Sequence, residues 1–284
     1  MVVFVVPIKS EQVSTNWSVF SVLVERTMQS ICQQTSQNFK VVAVCHEIPE
    51  IGFSHDNLEF VQVSFDPPSA KRIEDPNAFD PRNPYRNVAK EEDKARKIME
   101  GIAHGRQYNP DYFMVVDADD CINKNLVNFL EEHNSPDNHG WYFKEGFIYN
   151  EGSNLIFLNK NTFNVLCGTC IVVRAELVDK LIEQEPFVVF THDFTELGDN
   201  RELKPLPFTG AIYSIGNTEN YCSTPEAVRK MNSYKIFDGE FYTNIIRKLR
   251  KYRMRIVTSK LRNTFGLYKL DFSRVFDKES MEAH

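Results

Sequence analysis

The chain has 284 residues, 42% of them hydrophobic and 25% charged, with a formal net charge of -6. That is the composition of a globular protein, neither disordered nor fibrous, and long enough to bury a sizeable core. No apolar run approaches the roughly 20 residues needed to span a bilayer, and the first stretch has no basic flank and breaks at Pro7, so no secretory signal is expected and the expected location is the cytoplasm.

Val2 to Val6 is a continuous β-branched and aromatic run, the pattern of a parallel strand buried on both faces. Phe20, Val24, Thr27, Met28, Ile31 and Cys32 then recur at helical spacing, and Phe39 to Val44 is a second buried strand. Such a β-α-β unit crosses over right-handed and sets the C-terminal ends of its strands along one sheet edge, where ligands of open α/β sheets bind.

Leu58 to Val63 predicts a third strand, and the polar stretch Ser64 to Asn87 that follows predicts a long functional or disordered loop. The next helix turns Ala95, Ile98, Met99, Ile102 and Ala103 inward and leaves Lys90, Glu91, Glu92, Lys94 and Lys97 on the opposite side. Tyr112 to Val116 is a fourth buried strand that runs directly into Asp117-Ala-Asp-Asp120, and a helix is expected over Asn123 to Glu132.

From Gly140 the pattern changes to strands at Trp141 to Tyr149, Leu155 to Leu158 and Val165 to Val173. A helix from Ala175 to Gln184, the apolar run Phe187 to Phe190 and a strand from Ala211 to Ile215 complete it, and these later strands are expected to extend the first sheet. Nine basic residues and no acidic one lie between Phe241 and Leu270, which leaves the remaining chain at about -15. That segment is expected to be helical, and is either a solvated face or a contact with an anionic membrane surface or substrate; nucleic acid is not an expected partner.

Three carboxylates past the end of an apolar strand ask for a cation. Hard divalent ions such as Mn²⁺ or Mg²⁺ prefer carboxylate oxygens and commonly bridge to nucleotide phosphates, so Asp117 and Asp119 are the candidate metal ligands, while Asp120 either joins them or caps the next helix. Cys167-Gly-Thr-Cys170 fits CxxC, but a structural zinc site needs a second ligand pair that the sequence lacks.

Four stretches together resemble nucleotide-sugar-dependent glycosyltransferases of the GT-A fold, in the broad family 2 grouping: Val2-Val-Phe-Val-Val-Pro7, Asp93 to Lys97 with Gly101, the DxD run Tyr112 to Asp120, and Cys167-Gly168-Thr169. The resemblance covers about residues 1 to 200. It implies a mixed, mostly parallel α/β sheet flanked by helices. A transferase domain over 1–220, with a nucleotide-binding half (1–120) and an acceptor half (121–220), would precede a helical basic extension (221–284).

The resemblance implies that Asp117 meets the donor ribose or a metal-bound water and that Asp119 holds the metal. Pro7, Lys9, His46, Glu47 and Asp66 would form the base pocket. Cys45-His46-Glu47 stands where relatives often carry an aspartate pair, a departure at the contact that would read a UDP-sugar, the donor expected first. Lys94 and Lys97, with Arg82 and Arg86 behind them, would neutralise the donor diphosphate, and Gly168 and Thr169 would let the sugar lie against the backbone. Asp193 is the expected general base, with His192 second, and Asn217 or Glu219 would stand in for a further metal ligand.

The implied reaction is sugar transfer to a hydroxyl of a glycan, lipid-linked or small-molecule acceptor, with inversion. A nucleotidyltransferase is the nearest alternative, although the Gly- and Arg-rich loop it needs after the first strand is missing from Ile8-Lys-Ser-Glu-Gln12. A catalytically silent nucleotide-sugar or glycan-binding module is the other.

Overall fold

A computed structural model describes residues 1–75, 79–80, 83–185, 187–193, 195–217, 219 and 252–270. Strand β1 (Val2–Pro7), helix α1 (Trp17–Cys32), β2 (Phe39–Cys45) and β3 (Leu58–Gln62) open the chain, with β1 parallel to β2 and β2 parallel to β3. Asn16 caps α1, its side chain accepting from the Val19 amide at 2.9 Å.

The polar stretch after β3 is more ordered than its composition predicts. It holds a short helix α2 (Ala70–Glu74) and a hairpin of β4 (Phe79–Asp80) and β5 (Asn83–Asn87). Helix α3 (Val88–Gly105) leads into β6 (Tyr112–Val115), which lies parallel to β1 on the side away from β2. Gly101 lets α3 approach the sheet closely, since a Cβ there would stand 2.4 Å from Val5 Cγ1.

Beyond the acidic turn come β7 (Cys121–Ile122), α4 (Leu126–Glu132), β8 (Gly140–Tyr142), β9 (Gly146–Asn150) and β10 (Leu155–Asn159). Then follow α5 (Phe163–Leu166), β11 (Ile171–Arg174), β12 (Ile182–Glu183), β13 (Val189–Phe190), β14 (Lys204–Pro205), β15 (Ala211–Ile215), β16 (Tyr252–Ile256) and α6 (Ser259–Phe265).

Among the described residues the central sheet has seven strands in the order β14-β8-β11-β6-β1-β2-β3. It is mixed and mostly parallel, only β11 running antiparallel to both its neighbours. Val3, Phe4, Val5 and Val6 on β1 are wholly buried, as a strand covered on both faces must be.

Several later elements differ from the sequence pattern. Val165 to Val173 is not one strand: α5 and a turn occupy its first half, because Gly168 and Thr169 break the run. Ala175 to Gln184 is a 3-10 turn (Val178–Leu181) followed by β12, which pairs with β13 instead of continuing a helix.

Nor do all the later strands extend the first sheet. β7, β9, β10, β15 and β16 build a second, five-stranded sheet. Tyr252–Ile256 is therefore a strand within the segment expected to be helical, while the helical expectation for 221–251 lies outside the described residues, as does Arg82. Among the described residues no helix is long and apolar enough to cross a membrane.

Candidate functional site at the acidic turn

Strand β6 delivers Asp117, Ala118, Asp119 and Asp120 to the C-terminal edge of the central sheet, between β1 and β11. The backbone amide of Asp117 donates to Thr169 Oγ1 at 2.9 Å, which ties this turn to the Cys167-Gly168-Thr169 turn. The Asp117 carboxylate meets Lys94 Nζ at 2.5 Å. Burial alone would depress the Lys94 ammonium, but the negative charges of Asp117, Glu91 and Asp120 raise its pKa above the usual lysine range, so Lys94 stays charged.

Gly168 completes this corner. A Cβ on it would stand 2.7 Å from Asp117 Oδ2 and 3.4 Å from Lys94 Nζ, so the carboxylate lies directly on the glycine backbone.

Asp119 is half-buried and accepts from Asn217 Nδ2 at 2.9 Å. Burial, together with the neighbouring charge of Asp117, raises its pKa to about 6 against the pull of that hydrogen bond. Asp120 faces the other way, into the protein. Wholly buried, it accepts from the Ser214 amide at 3.0 Å through Oδ1, and from Thr169 Oγ1 at 2.6 Å and Cys167 Sγ at 3.2 Å through Oδ2. It caps no helix, because α4 starts six residues later behind Asn125. Its job is to lock the acidic turn to β15 and to the glycine turn.

Asn217 reaches the site as the sequence suggested, but through its amide nitrogen. Its Oδ1 accepts from the Glu219 amide at 2.9 Å, so the side chain links Asp119 to the Glu219 backbone. Glu219 is also committed elsewhere. Its carboxylate takes Lys9 Nζ, the Ser14 hydroxyl at 3.0 Å and the amides of Thr15 and Asn16 at 3.3 and 2.7 Å. Asp119, Asn217, Glu219 and Lys9 thus form one polar chain between the acidic turn and the loop after β1.

The residues assigned to a base pocket have the following partners. Pro7 is buried at the end of β1, Lys9 lies 4.5 Å over the Phe20 ring, Glu47 accepts from the Glu11 amide at 3.2 Å, and Asp66 is exposed. His46 Nε2 lies 2.9 Å from Asp93 Oδ1, and Lys97 Nζ lies 2.7 Å from Asp93 Oδ2, all three side chains being buried. Lys94 and Lys97 therefore serve different carboxylates: Lys94 faces the acidic turn, whereas Lys97 holds Asp93 beneath His46.

Thr191 anchors the loop after β13 through its amide and hydroxyl, both on the Leu181 carbonyl. His192 Nδ1 lies 2.9 Å from the Asn164 carbonyl, which can only accept; Nδ1 therefore carries the proton and Nε2 is the acceptor nitrogen. Asp193 next to it is exposed. Burial raises the Cys170 thiol pKa well above its usual value, and the negative charges of Asp117 and Asp193 raise it further, so both carboxylates lie within electrostatic reach of one thiol. Cys167 and Cys170 are buried, and burial raises the pKa of both thiols well above the usual value.

Arg26 is the residue that sequence patterning overlooked. Fully buried on the inner face of α1, it pairs with Glu151 at 2.9 Å and reaches the Ser214 hydroxyl at 3.2 Å and the Asp119 carbonyl at 3.5 Å. A charged residue on the otherwise apolar face of Phe20, Val24, Met28 and Ile31 was the available signal.

Among the described residues no three His, Cys, Asp or Glu side chains converge as a complete metal cage. Two carboxylates at an open sheet edge, one with its pKa raised by burial, suit a hard divalent ion that takes its remaining ligands from phosphate and water.

No family model and no curated protein matches the chain. Among solved structures, S. aureus TarS is similar over 75% of this chain and 36% of its own, at 14% identity and a TM-score of 0.39. A TarS fragment in complex with UDP covers 75% of this chain and 60% of its own, at 13% identity and a TM-score of 0.35. The bifunctional IspDF from Campylobacter jejuni matches 81% of this chain and 53% of its own, at 11% identity and a TM-score of 0.34. The chain thus spans between 36% and 60% of the length of these structures.

Proposed function

We propose that the chain is a glycosyltransferase that takes its sugar from a nucleotide-diphosphate donor, a UDP-sugar first among them. The observation that carries this reading is the convergence of Asp117, Asp119, Lys94 and the bare backbone of Gly168 at the C-terminal edge of a mostly parallel sheet. Paired carboxylates, an ammonium held beside one of them and a glycine backbone are what a metal-bound diphosphate with a sugar folded over it requires.

Asp119 and Asp117 would hold Mn²⁺ or Mg²⁺. Bound there, the ion would act as a Lewis acid toward the donor diphosphate. Lys94, released from Asp117 by the arriving phosphates, adds a second positive charge as the bond from the anomeric carbon to the phosphate oxygen breaks. Asp193 takes the proton of the acceptor hydroxyl as that oxygen attacks from the opposite side, and His192 Nε2 would orient the acceptor. The electron pair of the breaking bond leaves with the diphosphate, giving inversion.

The test is incubation of the chain with Mn²⁺ or Mg²⁺ and a panel of nucleotide sugars, reading thermal shift and release of nucleoside diphosphate. One donor class is expected to stabilise the chain only with metal and to be hydrolysed slowly. Pyrophosphate release from a nucleoside triphosphate would instead identify a nucleotidyltransferase. Silence toward every donor would leave a binding module.

A further inference from the structure

Among the described residues the second sheet ends on β16, and Arg253, Met254, Arg255 and Ile256 along this edge strand are all exposed. Alternation sends the two arginines to one face and Met254 and Ile256 to the other. The register on β10 sets Ile256 opposite Leu155 and Met254 opposite Phe157, so these four side chains form one apolar ladder. Leu155 is 38% exposed, Met254 50% and Ile256 69%, which leaves the ladder open to solvent.

The basic residues flank the same edge from the opposite face. Arg255 and Arg253 stand opposite Ile156 and Leu158 on the other face, and α6, which follows almost at once, adds Lys260 and Arg262. From Tyr252 to Leu270 the chain has five basic residues and no acidic one to neutralise them.

An edge strand of this kind invites pairing with another strand. A second copy fits poorly, because antiparallel pairing of two β16 strands would set arginines beside arginines, and like charges across a ladder are destabilising. An anionic bilayer satisfies both halves of the strand: aliphatic side chains enter the acyl boundary while guanidinium groups reach the phosphates along their own apolar stems. We propose that the β16 edge, with Leu155 and Phe157 beside it, docks on an anionic lipid surface. This inference stands apart from the sugar-transfer reading and holds whether or not the acidic turn is catalytic.

Flotation of the full chain with vesicles of phosphatidylcholine alone, or of phosphatidylcholine with phosphatidylglycerol, tests it. Binding is expected to the anionic vesicles only, falling at least tenfold between low and high salt. Arg253→Gln with Arg255→Gln should weaken it by about fivefold for each charge removed. Met254→Thr with Ile256→Thr, which keeps strand-forming residues, should weaken it while leaving the salt dependence in place. If that pair fails to fold by thermal melt, Ile256→Thr alone carries the test. Absence of binding at low salt, equal binding to neutral vesicles, or variants that bind like the parent would overturn the proposal. So would a dimer in sedimentation that the threonine variants dissolve, since the edge would then belong to a second copy.

Discussion

The Asp117 carboxylate rests on the backbone of Gly168, at a point where a Cβ would stand 2.7 Å from its Oδ2. The contact joins the acidic turn to the turn after α5, and Lys94 closes it from the helix side. Gly168→Ala must therefore displace the Asp117 carboxylate. We expect little loss of stability, about 1 kcal/mol, because the displaced carboxylate is at the edge of the core and not within it. Metal-dependent donor binding should fall by about tenfold or more. Wild-type donor affinity in Gly168→Ala, measured by calorimetry, would remove the glycine from the site.

Asp119 leads to a pH prediction. Its carboxyl has a pKa raised to about 6 in the folded chain, chiefly by burial, against the ordinary value of 3.8. Between those two values the folded state binds more protons than the unfolded state, so this group's contribution to stability is full below about pH 4 and is lost as pH rises through 6. At pH 7 Asp119→Asn should therefore stabilise the metal-free chain by about 1–3 kcal/mol. The gain should shrink toward pH 4.5. Added Mn²⁺ should raise the melting temperature of the parent at pH 7 and leave that of Asp119→Asn unmoved. A variant less stable than the parent at pH 7 without metal would show that the Asn217 contact outweighs desolvation.

The first strands and the acidic turn were legible because they are local: β1 and β6 are uninterrupted apolar runs, β2 is apolar apart from Lys40, and Asp117 to Asp120 follows the last of them directly. What was not legible depends on distant pairing. Nothing near Asp120 announces that Ser214, 94 residues on, donates to it. The commitments of Glu219 to the loop before α1 are similarly remote. The helical periodicity of Ala175 to Gln184 yielded to pairing of β12 with β13. In the basic segment the alternation Tyr-Arg-Met-Arg-Ile is itself a strand signal, carried by side chains whose charge also fits a solvated helix.

Arg26 and Glu151 form a buried pair, their side chains 0% and 4% exposed, directly behind the acidic turn. Breaking such a pair strands one charge in the core, so Arg26→Met or Glu151→Gln alone should each cost about 3–5 kcal/mol. The double variant should recover much of that stability. It should not recover function if Arg26 also holds the Asp119 carbonyl in place. Chemical denaturation gives the first result and metal-dependent donor hydrolysis the second; a double variant with parental hydrolysis would make Arg26 purely a packing residue.

Asp193 separates donor binding from transfer. It is exposed, whereas Asp117 is paired with the Lys94 ammonium. A general base contributes typically 10²- to 10⁴-fold, and only to the step in which a proton moves. Asp193→Asn should therefore leave metal and donor affinity within about twofold of the parent while lowering transfer to an acceptor by a factor of about 10² or more. His192→Gln, which removes the Nε2 acceptor, should raise the acceptor KM more than it lowers kcat. Calorimetry of donor binding beside single-turnover transfer separates the two effects. If Asp193→Asn loses donor binding in step with transfer, the carboxylate belongs to the donor site, and the proton must leave by another group.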